Sequence, residues 1–190
     1  MTLRVTQRPL PYVDRLEARD PASVRGVVIH ATELPDLATA RSYGERIVYP
    51  GSGTGNSGHY YIARDGRVER WVPADRVAHH VRGHNADTIG IELDHPGRWP
   101  DWYRSTAQAW TEPYTEVQLE ALEALLACLR AELPRLEWIA GHDQLDLSQV
   151  PASDDPQRQV RRKLDPGPNF PWARILAASG LTRYPGHDAR

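Results

Sequence analysis

Three residues that lie far apart in the sequence have the side-chain types of a metal site. His30 ends an apolar, β-branched run, His142 follows a second apolar run, and Asp165 opens the rigid sequence Asp-Pro-Gly-Pro. Two imidazoles and one carboxylate leave a fourth tetrahedral position on zinc open to water, as metal-assisted hydrolysis requires. Spacing does not show that they converge, because more than half of the chain separates His30 from His142.

Each of these residues also has an ordinary structural explanation. A histidine at a strand end more often forms hydrogen bonds or lies on the surface than binds a metal. Asp165 precedes a proline, which is typical of a turn. Lys163 follows Arg161 and Arg162, and a basic run is usually a solvated face. Residue types alone therefore leave the zinc site as one hypothesis among several.

The composition narrows the classes of function. A chain of 190 residues with 40% hydrophobic content predicts one domain, residues 1–190, with a single core. The 23 Lys and Arg residues balance 25 Asp and Glu residues, which argues against nucleic-acid binding. Cys128 is the only cysteine, so an intrachain disulfide and a thiolate zinc cluster are excluded. A metal must therefore be bound by histidine and carboxylate.

Targeting signals are not evident in the sequence. Residues 1–20 lack the apolar core and cleavage site of a signal peptide, and no run of about 18 apolar residues occurs anywhere. We therefore expect no membrane span and a cytoplasmic location. The oligomeric state stays open.

The predicted strands position the candidate residues. Apolar runs predict buried strands over residues 25–32, 88–94 and 136–140. His30 and His142 then lie at the C-terminal ends of two of them. Side chains alternate between the faces of a strand, so Glu92 points away from the apolar row of Ile89, Ile91 and Leu93.

The remaining pattern predicts one hairpin, three helices and several loops. Asp65-Gly66, between strands 59–64 and 67–72, predicts a two-residue turn in which both residues have positive φ. Thr115 and Gln118 form a capping box that begins a helix ended by Pro134. Further helices are expected over 36–46 and 172–178, loops over 49–58, 97–113 and 143–162, and fraying over the last ten residues.

Four segments, in this order, resemble the family 2 N-acetylmuramoyl-L-alanine amidases, whose fold is shared with phage amidase lysozymes and animal peptidoglycan recognition proteins. They are Val27-Val-Ile-His-Ala-Thr32, His59-Tyr-Tyr-Ile-Ala-Arg-Asp-Gly66, Asn85-Ala-Asp-Thr-Ile-Gly-Ile-Glu92, and Gly141-His142 with Lys163-Leu-Asp-Pro-Gly-Pro168. The resemblance implies an amidase core over about residues 24–176, with peripheral N- and C-terminal extensions. We expect a single α/β domain with a central mixed β-sheet flanked by α-helices and a zinc cleft at one edge of the sheet.

The resemblance also implies roles for individual residues. His30, His142 and Asp165 match the ligands of one zinc ion per chain, and Glu92 and Lys163 match the catalytic pair of the cytoplasmic recycling branch. A carboxylate such as Glu92 can move a proton from the attacking water to the leaving amine, and Lys163 can stabilise the oxyanion.

The residue before His59 separates two branches of the family. Phage-type members place a tyrosine there, whereas this chain has Gly58. Proton transfer is therefore assigned to Glu92. His59, His80 and Asn85 match positions that line the cleft in similar proteins, so we expect them to bind substrate, with a role as ordinary hairpin and loop residues as the alternative.

The implied reaction is hydrolysis of the amide between N-acetylmuramic acid and L-alanine of the peptidoglycan stem peptide. A non-catalytic peptidoglycan-binding module of the same fold is one alternative, and a glycosidase that uses Glu92 and Asp94 is another. Aromatic residues between 99 and 114 either stack on sugar rings or anchor their loop. The sequence does not decide whether the substrate is intact cell wall or soluble muropeptides, or which stem peptide is preferred. The role of residues 143–162 and delivery by a phage-type or specialised secretion route also stay open.

Overall fold

The computed structural model describes residues 3–110 and 112–186. A seven-stranded sheet has the order β1-β4-β3-β5-β2-β6-β9, and β7 pairs with β8 in a separate hairpin. The strands are β1 (Val5–Gln7), β2 (Gly26–Ala31), β3 (Tyr60–Ile62), β4 (Val68–Arg70), β5 (Thr88–Leu93), β6 (Trp138–Gly141), β7 (Gln149–Pro151), β8 (Gln159–Arg161) and β9 (Thr182–Arg183). The helices are α1 (Leu37–Gly44), α2 (Glu116–Glu132), α3 (His142–Leu145) and α4 (Trp172–Ser179). This confirms a mixed α/β sheet.

The central strand is β2, and every one of its residues is buried. It pairs in parallel with β5 on one side and with β6 on the other. A continuous β-branched run suits this position because both faces of a central parallel strand are covered. The C-terminal ends of β2, β5 and β6 consequently meet at one edge of the sheet, and this edge carries the candidate site.

The two faces of the sheet are covered differently. On one face, the leucines of α2 and Ile175 of α4 pack against the apolar row of β5 and against Val27 and Ile29 of β2. The other face packs against Leu37 and Ala40 of α1 and carries Val28, His30 and Glu92. The predicted orientation of Glu92, away from Ile89, Ile91 and Leu93, is confirmed.

The predicted helices are present, with one error in their capping. Asp36 caps α1 by accepting a hydrogen bond from the amide of Thr39 at 2.7 Å, and Thr115 caps α2 by accepting from the amide of Gln118 at 3.2 Å. Gln118 does not complete the capping box. Its buried amide donates instead to the carbonyls of Ile62 and Asp94, because these buried acceptors need a donor.

The hairpin β3–β4 is confirmed, but its predicted turn is wrong. Gly66 donates to the carbonyl of Ala63 and Ala63 donates to the carbonyl of Arg67, so three residues form the loop. Gly66 has φ +83°, whereas Asp65 does not have a positive φ. A type I turn followed by one left-handed glycine gives this geometry.

Two segments expected to be irregular contain regular structure. Residues 143–162, predicted as a loop, include most of α3 and the hairpin β7–β8. Of the last ten residues, 182–183 form β9 on β6 and Tyr184 is buried, so fraying was wrong for them. Residues 187–190 lie outside the described part.

The N-terminal segment contributes more to the fold than a peripheral extension would. Val5 pairs with Val68, which makes β1 an edge strand in parallel with β4. Leu10, Tyr12 and Leu16 are buried in the cluster around Trp71. In residues 3–110 and 112–186, no helix is long and apolar enough to cross a membrane.

Candidate metal centre and cleft

Three side chains meet at the C-terminal edge of the central strands. Nδ1 of His30 lies 3.0 Å from Nδ1 of His142 and 3.0 Å from Oδ2 of Asp165, and the last two atoms are 3.1 Å apart. Each residue is at most 3% exposed. Tetrahedral zinc with bonds of about 2.0–2.1 Å would hold its ligand atoms about 3.3 Å apart, within a few tenths of these distances. The cluster can therefore bind a metal ion.

The fold explains why these residues converge. His30 lies in β2, and His142 directly follows β6, the parallel neighbour of β2. Asp165 is held by backbone contacts, since its carbonyl accepts from the amide of Asp143 at 2.9 Å. The hydroxyl of Tyr114 donates to the carbonyl of Pro166 at 2.7 Å. Strand pairing thus brings His30 and His142 together although they are far apart in the sequence. Hydrogen bonds from Asp143 and Tyr114 hold the loop that carries the Asp165 carboxylate.

Electrostatics support a cation at this cluster. The charges of His142 and Lys163 and the hydrogen bonds from both imidazoles hold the pKa of Asp165 well below its usual range, against the effect of burial. Burial lowers the pKa of His30 to about 4. At neutral pH the cluster therefore contains a carboxylate and a neutral His30 imidazole, which is the protonation state of metal ligands.

Glu92 lies beside the cluster. It is the register partner of His30 on β5, so both side chains point to the same face of the sheet. Burial, and then the negative charge of Asp165, raises the pKa of Glu92 to about 8, while Lys163 opposes the shift. A carboxyl group whose pKa lies near neutrality is suited to accept and return a proton.

Gly58 makes room for Glu92. A Cβ atom at position 58 would lie 2.9 Å from Cγ of Glu92 and 3.2 Å from the carbonyl oxygen of Gly90. Tyr61 fixes this glycine, because the tyrosine hydroxyl accepts a hydrogen bond from the Gly58 amide at 3.0 Å. The glycine that precedes His59 in the sequence therefore leaves the space that the Glu92 side chain occupies.

Lys163 lines the same cleft as Glu92 and Asp165. The backbone just before it is held by Arg98, which donates to the carbonyls of Arg161 at 2.9 Å and Arg162 at 3.2 Å. Arg98 is itself buried, and its guanidinium group donates two hydrogen bonds to Glu33, at 2.7 and 2.8 Å. Sequence reasoning missed this buried ion pair, since Arg98 lies in an aperiodic loop and nothing in the pattern links it to Glu33.

Only two of the three residues expected to contact substrate line the cleft. His80 and Asn85 line the cleft, whereas His59 does not. His59 is fully buried; its Nδ1 accepts from the amide of Gly90 at 3.0 Å and its Nε2 lies 3.1 Å from the carbonyl of Arg76. His59 therefore joins β5 to a neighbouring loop, which corrects its expected position. The side-chain oxygen of Asn85 accepts from the amides of His80 and Val81 at 3.0 and 2.8 Å.

The cleft has a volume of about 650 Å³. Residues 43–49 and 56–57 form one wall that sequence reasoning did not assign, and the exposed side chains of Tyr43, Val48 and Tyr49 lie along it. Two of the aromatic residues in loop 97–113 anchor that loop, whereas Trp99 and Tyr103 are exposed. Trp110 is buried in a stack on His95, and Trp102 donates to the carbonyl of Glu33 at 2.9 Å.

A glycosidase mechanism would need the carboxylates of Glu92 and Asp94 in one cleft, and the structure does not place them together. Asp94 does not line the cleft that contains Glu92. It is buried elsewhere, where burial raises its pKa to about 6 and the charge of Arg64 opposes the rise. A pair of carboxylates that faces one sugar is therefore not formed by these two residues.

Comparison with known sequences points to one family. The sequence profile of the N-acetylmuramoyl-L-alanine amidases, Amidase_2, matches residues 20–168. The chain is also 32% identical, over 125 residues, to 1,6-anhydro-N-acetylmuramyl-L-alanine amidase AmpD of Enterobacter cloacae, an alignment that covers 61% of this chain and 53% of that protein. The chain thus spans about half the length of the curated relatives it matches.

Solved structures share the fold. N-acetylmuramoyl-L-alanine amidase LysC from Clostridium intestinale URNW superposes with a TM-score of 0.67 at 21% identity, covering 95% of this chain and all of that one. The N-acetylmuramyl-L-alanine amidase AmiD from E. coli, in complex with the substrate anhydro-N-acetylmuramic acid-L-Ala-D-gamma-Glu-L-Lys, superposes with a TM-score of 0.60 at 24% identity over 87% of this chain and 61% of that one.

Proposed function

Because the chain belongs to the N-acetylmuramoyl-L-alanine amidase family, we propose that it is a zinc-dependent hydrolase that cleaves the amide between N-acetylmuramic acid and L-alanine of the peptidoglycan stem peptide. The observation that carries the proposal is the convergence of His30, His142 and Asp165, with Glu92 in register beside them. A binding module would need neither an open metal site nor a carboxyl group with a pKa near neutrality beside it. Residues 24–176 are the proposed amidase core.

His30 and His142 are the proposed nitrogen ligands of the ion and Asp165 the oxygen ligand. The donor set supports zinc, because two imidazoles and one carboxylate are a common catalytic zinc set with one open position. When bound, such an ion lowers the pKa of water towards about 7 and polarises the carbonyl group of the substrate. Burial of all three residues favours retention of the ion, since solvent does not compete for the ligand atoms.

Glu92 is the proposed proton carrier. Its pKa is about 8 in the metal-free protein, and a cation at the cluster would lower it, so the ionised carboxylate could take a proton from the attacking water and give it to the nitrogen of the departing L-alanine. Lys163 is the proposed partner of the oxyanion that develops on the carbonyl oxygen. It lines the same cleft, and Arg98 holds the backbone of the two residues before it, so its side chain can place a cation near where the charge develops.

The proposed substrate is a peptidoglycan fragment that carries the N-acetylmuramoyl-L-alanine amide. The name of the Enterobacter cloacae relative specifies a 1,6-anhydro sugar, and the AmiD complex holds an anhydro-sugar peptide. Both support a soluble muropeptide as the first substrate to assay. A cleft of about 650 Å³ has the size of a site for one sugar with a short peptide.

The experiment that tests the proposal compares anhydro-muropeptides and intact peptidoglycan as substrates. The protein is assayed as purified, after chelation, and after zinc is added back, and the products are identified by mass spectrometry. Free stem peptides with an L-alanine amino terminus, lost on chelation and restored by zinc, are expected. Retention of both substrates uncut by protein with one bound zinc would indicate a binding module, and chelator-resistant sugar cleavage would contradict the zinc mechanism.

A further inference from the structure

A chain of hydrogen bonds leads from the metal cluster into the protein. His30 directs Nδ1 towards His142 and Asp165, while its Nε2 lies 3.0 Å from Nδ1 of His80. Nε2 of His80 lies 3.2 Å from Oγ1 of Thr88, and the Thr88 hydroxyl donates to the carbonyl of His84 at 2.5 Å. Three groups, His80, the Thr88 hydroxyl and the His84 carbonyl, are thus joined in series behind the ligand His30.

Binding of an ion to Nδ1 of His30 would fix the direction of every bond in the chain. The neutral His30 ring would then carry its proton on Nε2 and donate it to Nδ1 of His80, 3.0 Å away. His80 in turn donates from Nε2 to the Thr88 oxygen, because the Thr88 proton is used on a backbone carbonyl, which only accepts.

We propose that His80 is a positioning residue that accepts the Nε2 proton of His30 and so holds Nδ1 of His30 towards the metal cluster when an ion is bound. The identity of the ion as zinc rests on the proposed function. His80 would fix the orientation of the His30 ring and accept the proton that metal binding leaves on Nε2. It does not serve as a substrate contact in this role, because both of its ring nitrogens are already engaged with His30 and Thr88.

The surroundings of His80 hold the ring in place. The side chain of Asn85 accepts from the amides of His80 and Val81, which fixes the backbone. Gly90 leaves space for the ring, since a Cβ there would lie 2.6 Å from Cγ of His80. The His30 and His80 rings meet edge to face, with centroids 5.2 Å apart. His80 therefore has little freedom to turn away from His30.

The test compares His80→Asn with His80→Leu. Oδ1 of asparagine lies near the place of Nδ1 and can still accept from His30, whereas leucine has a similar size and no polar atom. Zinc affinity is measured by competition with a chromogenic chelator, and folding is checked by thermal unfolding with chelator present. We expect His80→Leu to bind zinc about 10- to 100-fold more weakly than wild type, as loss of such partners of metal ligands usually does. His80→Asn should stay within a few-fold of wild type.

A second measurement follows the His30 proton itself. In zinc-loaded, ¹⁵N-labelled protein, the Nε2 proton of His30 should resonate far downfield and exchange slowly with water because it is donated to His80, and His80→Leu should move it upfield and speed its exchange. If His80→Leu does not fold, Thr88→Val against Thr88→Ser tests the same chain one step further out. Only the valine variant should speed this exchange and weaken zinc binding.

The outcomes that overturn the inference are distinct from those that overturn the proposed function. Unchanged zinc affinity in His80→Leu, or equal losses in His80→Asn and His80→Leu, would overturn the inference while leaving the amidase proposal intact. Zinc binding by wild type with the expected loss in His80→Leu supports the inference even if no amide is cleaved. Failure of wild type to bind zinc would overturn both.

Discussion

His30 and Glu92 are register partners on the adjacent parallel strands β2 and β5. Partners on parallel strands point to the same face of a sheet, so a ligand of the metal cluster and the proposed proton carrier are fixed relative to each other by the backbone. The relationship does not depend on a flexible loop. Single substitutions can therefore test metal binding and proton transfer separately.

Glu92→Gln should abolish most activity without loss of the metal. The amide has nearly the same shape as the carboxyl group but cannot carry a proton, so kcat should fall about 10²- to 10⁴-fold. Zinc content, measured by elemental analysis, should stay at one ion per chain. Asp94→Asn is the matched control, because Asp94 directly follows β5 and is buried but does not line the cleft. Equal losses in both variants would contradict the assignment.

Lys163→Met should lower kcat through loss of a cation near the reacting carbonyl. Removal of one group that stabilises an oxyanion costs about 10²- to 10³-fold in kcat. Steady-state kinetics on an anhydro-muropeptide would measure this loss, and Lys163→Arg should recover part of it. Arg158→Met is a suitable control, since Arg158 is exposed on the β7–β8 hairpin. A change in KM alone would instead assign Lys163 to substrate binding.

Metal binding at pH 7 should release a proton from Glu92. In the metal-free protein its pKa is about 8, so the carboxyl group is mostly protonated at pH 7. A cation at the cluster offsets the charge of Asp165, one of the causes of the raised pKa, and so lowers it. His30, with a pKa of about 4, is already neutral and releases no proton.

Calorimetric titration with zinc in buffers of different ionisation enthalpy measures this release. Wild type should release more protons than Glu92→Gln at pH 7, and the difference should disappear at about pH 9, where Glu92 is ionised before the ion binds. Equal release by both proteins at pH 7 would show that Glu92 does not change its protonation on metal binding.

The metal-free protein should lose stability on acidification, in part through His59. Burial, and then the charge of Arg19, holds the pKa of His59 well below its usual value. The unfolded chain binds the proton near pH 6.5 and the folded protein does not, so stability is present above pH 6.5 and is lost as the pH falls. Each such histidine costs about 2 kcal/mol between pH 7 and pH 5.

Urea unfolding with chelator at pH 7, 6 and 5 would measure this dependence. His59→Asn keeps an oxygen that can accept from the Gly90 amide but does not titrate, so its stability should fall by about 2 kcal/mol less than that of wild type over this range. Parallel losses in the two proteins would assign the acid sensitivity to other groups, such as His80.

Arg98→Met should destabilise the protein by about 3–5 kcal/mol, because it leaves the carboxylate of Glu33 buried without its partner. The double substitution Glu33→Leu with Arg98→Met should cost less than the sum of the two single substitutions. Arg25→Met is the control, since the exposed Arg25–Glu137 pair contributes at most about 1 kcal/mol. Urea unfolding at pH 7 compares the four variants with wild type, and a loss below about 1 kcal/mol in Arg98→Met would contradict the prediction.

The sequence was sufficient to predict the elements that carry the site. Apolar alternation fixed the face of Glu92, and the strand ends brought His30 and His142 to one edge once β2 and β6 paired in parallel. These features depend on local pattern and on a small number of strand arrangements. The choice of Asp165 came from the resemblance, because a turn-forming Asp-Pro has no periodicity of its own.

The errors concern features that depend on tertiary contacts. The β7–β8 hairpin has one valine pair, Val150 and Val160, in an otherwise mostly polar segment. It is held by Asp154, which accepts from the amide and hydroxyl of Ser105 at 2.7 and 3.0 Å. The burial of His59 depends on Arg19 and Arg76, which belong to other segments. The Gln118 side chain donates to the carbonyls of Ile62 and Asp94 instead of capping its own helix. Such partners have no local signal in the sequence.

The contact between Gly58 and Glu92 links the two positions. Since a Cβ at position 58 would press against Cγ of Glu92, a larger residue there would force the Glu92 side chain to move. The two positions are therefore sterically coupled, so substitutions at 58 and 92 should be non-additive in their effects on stability and activity.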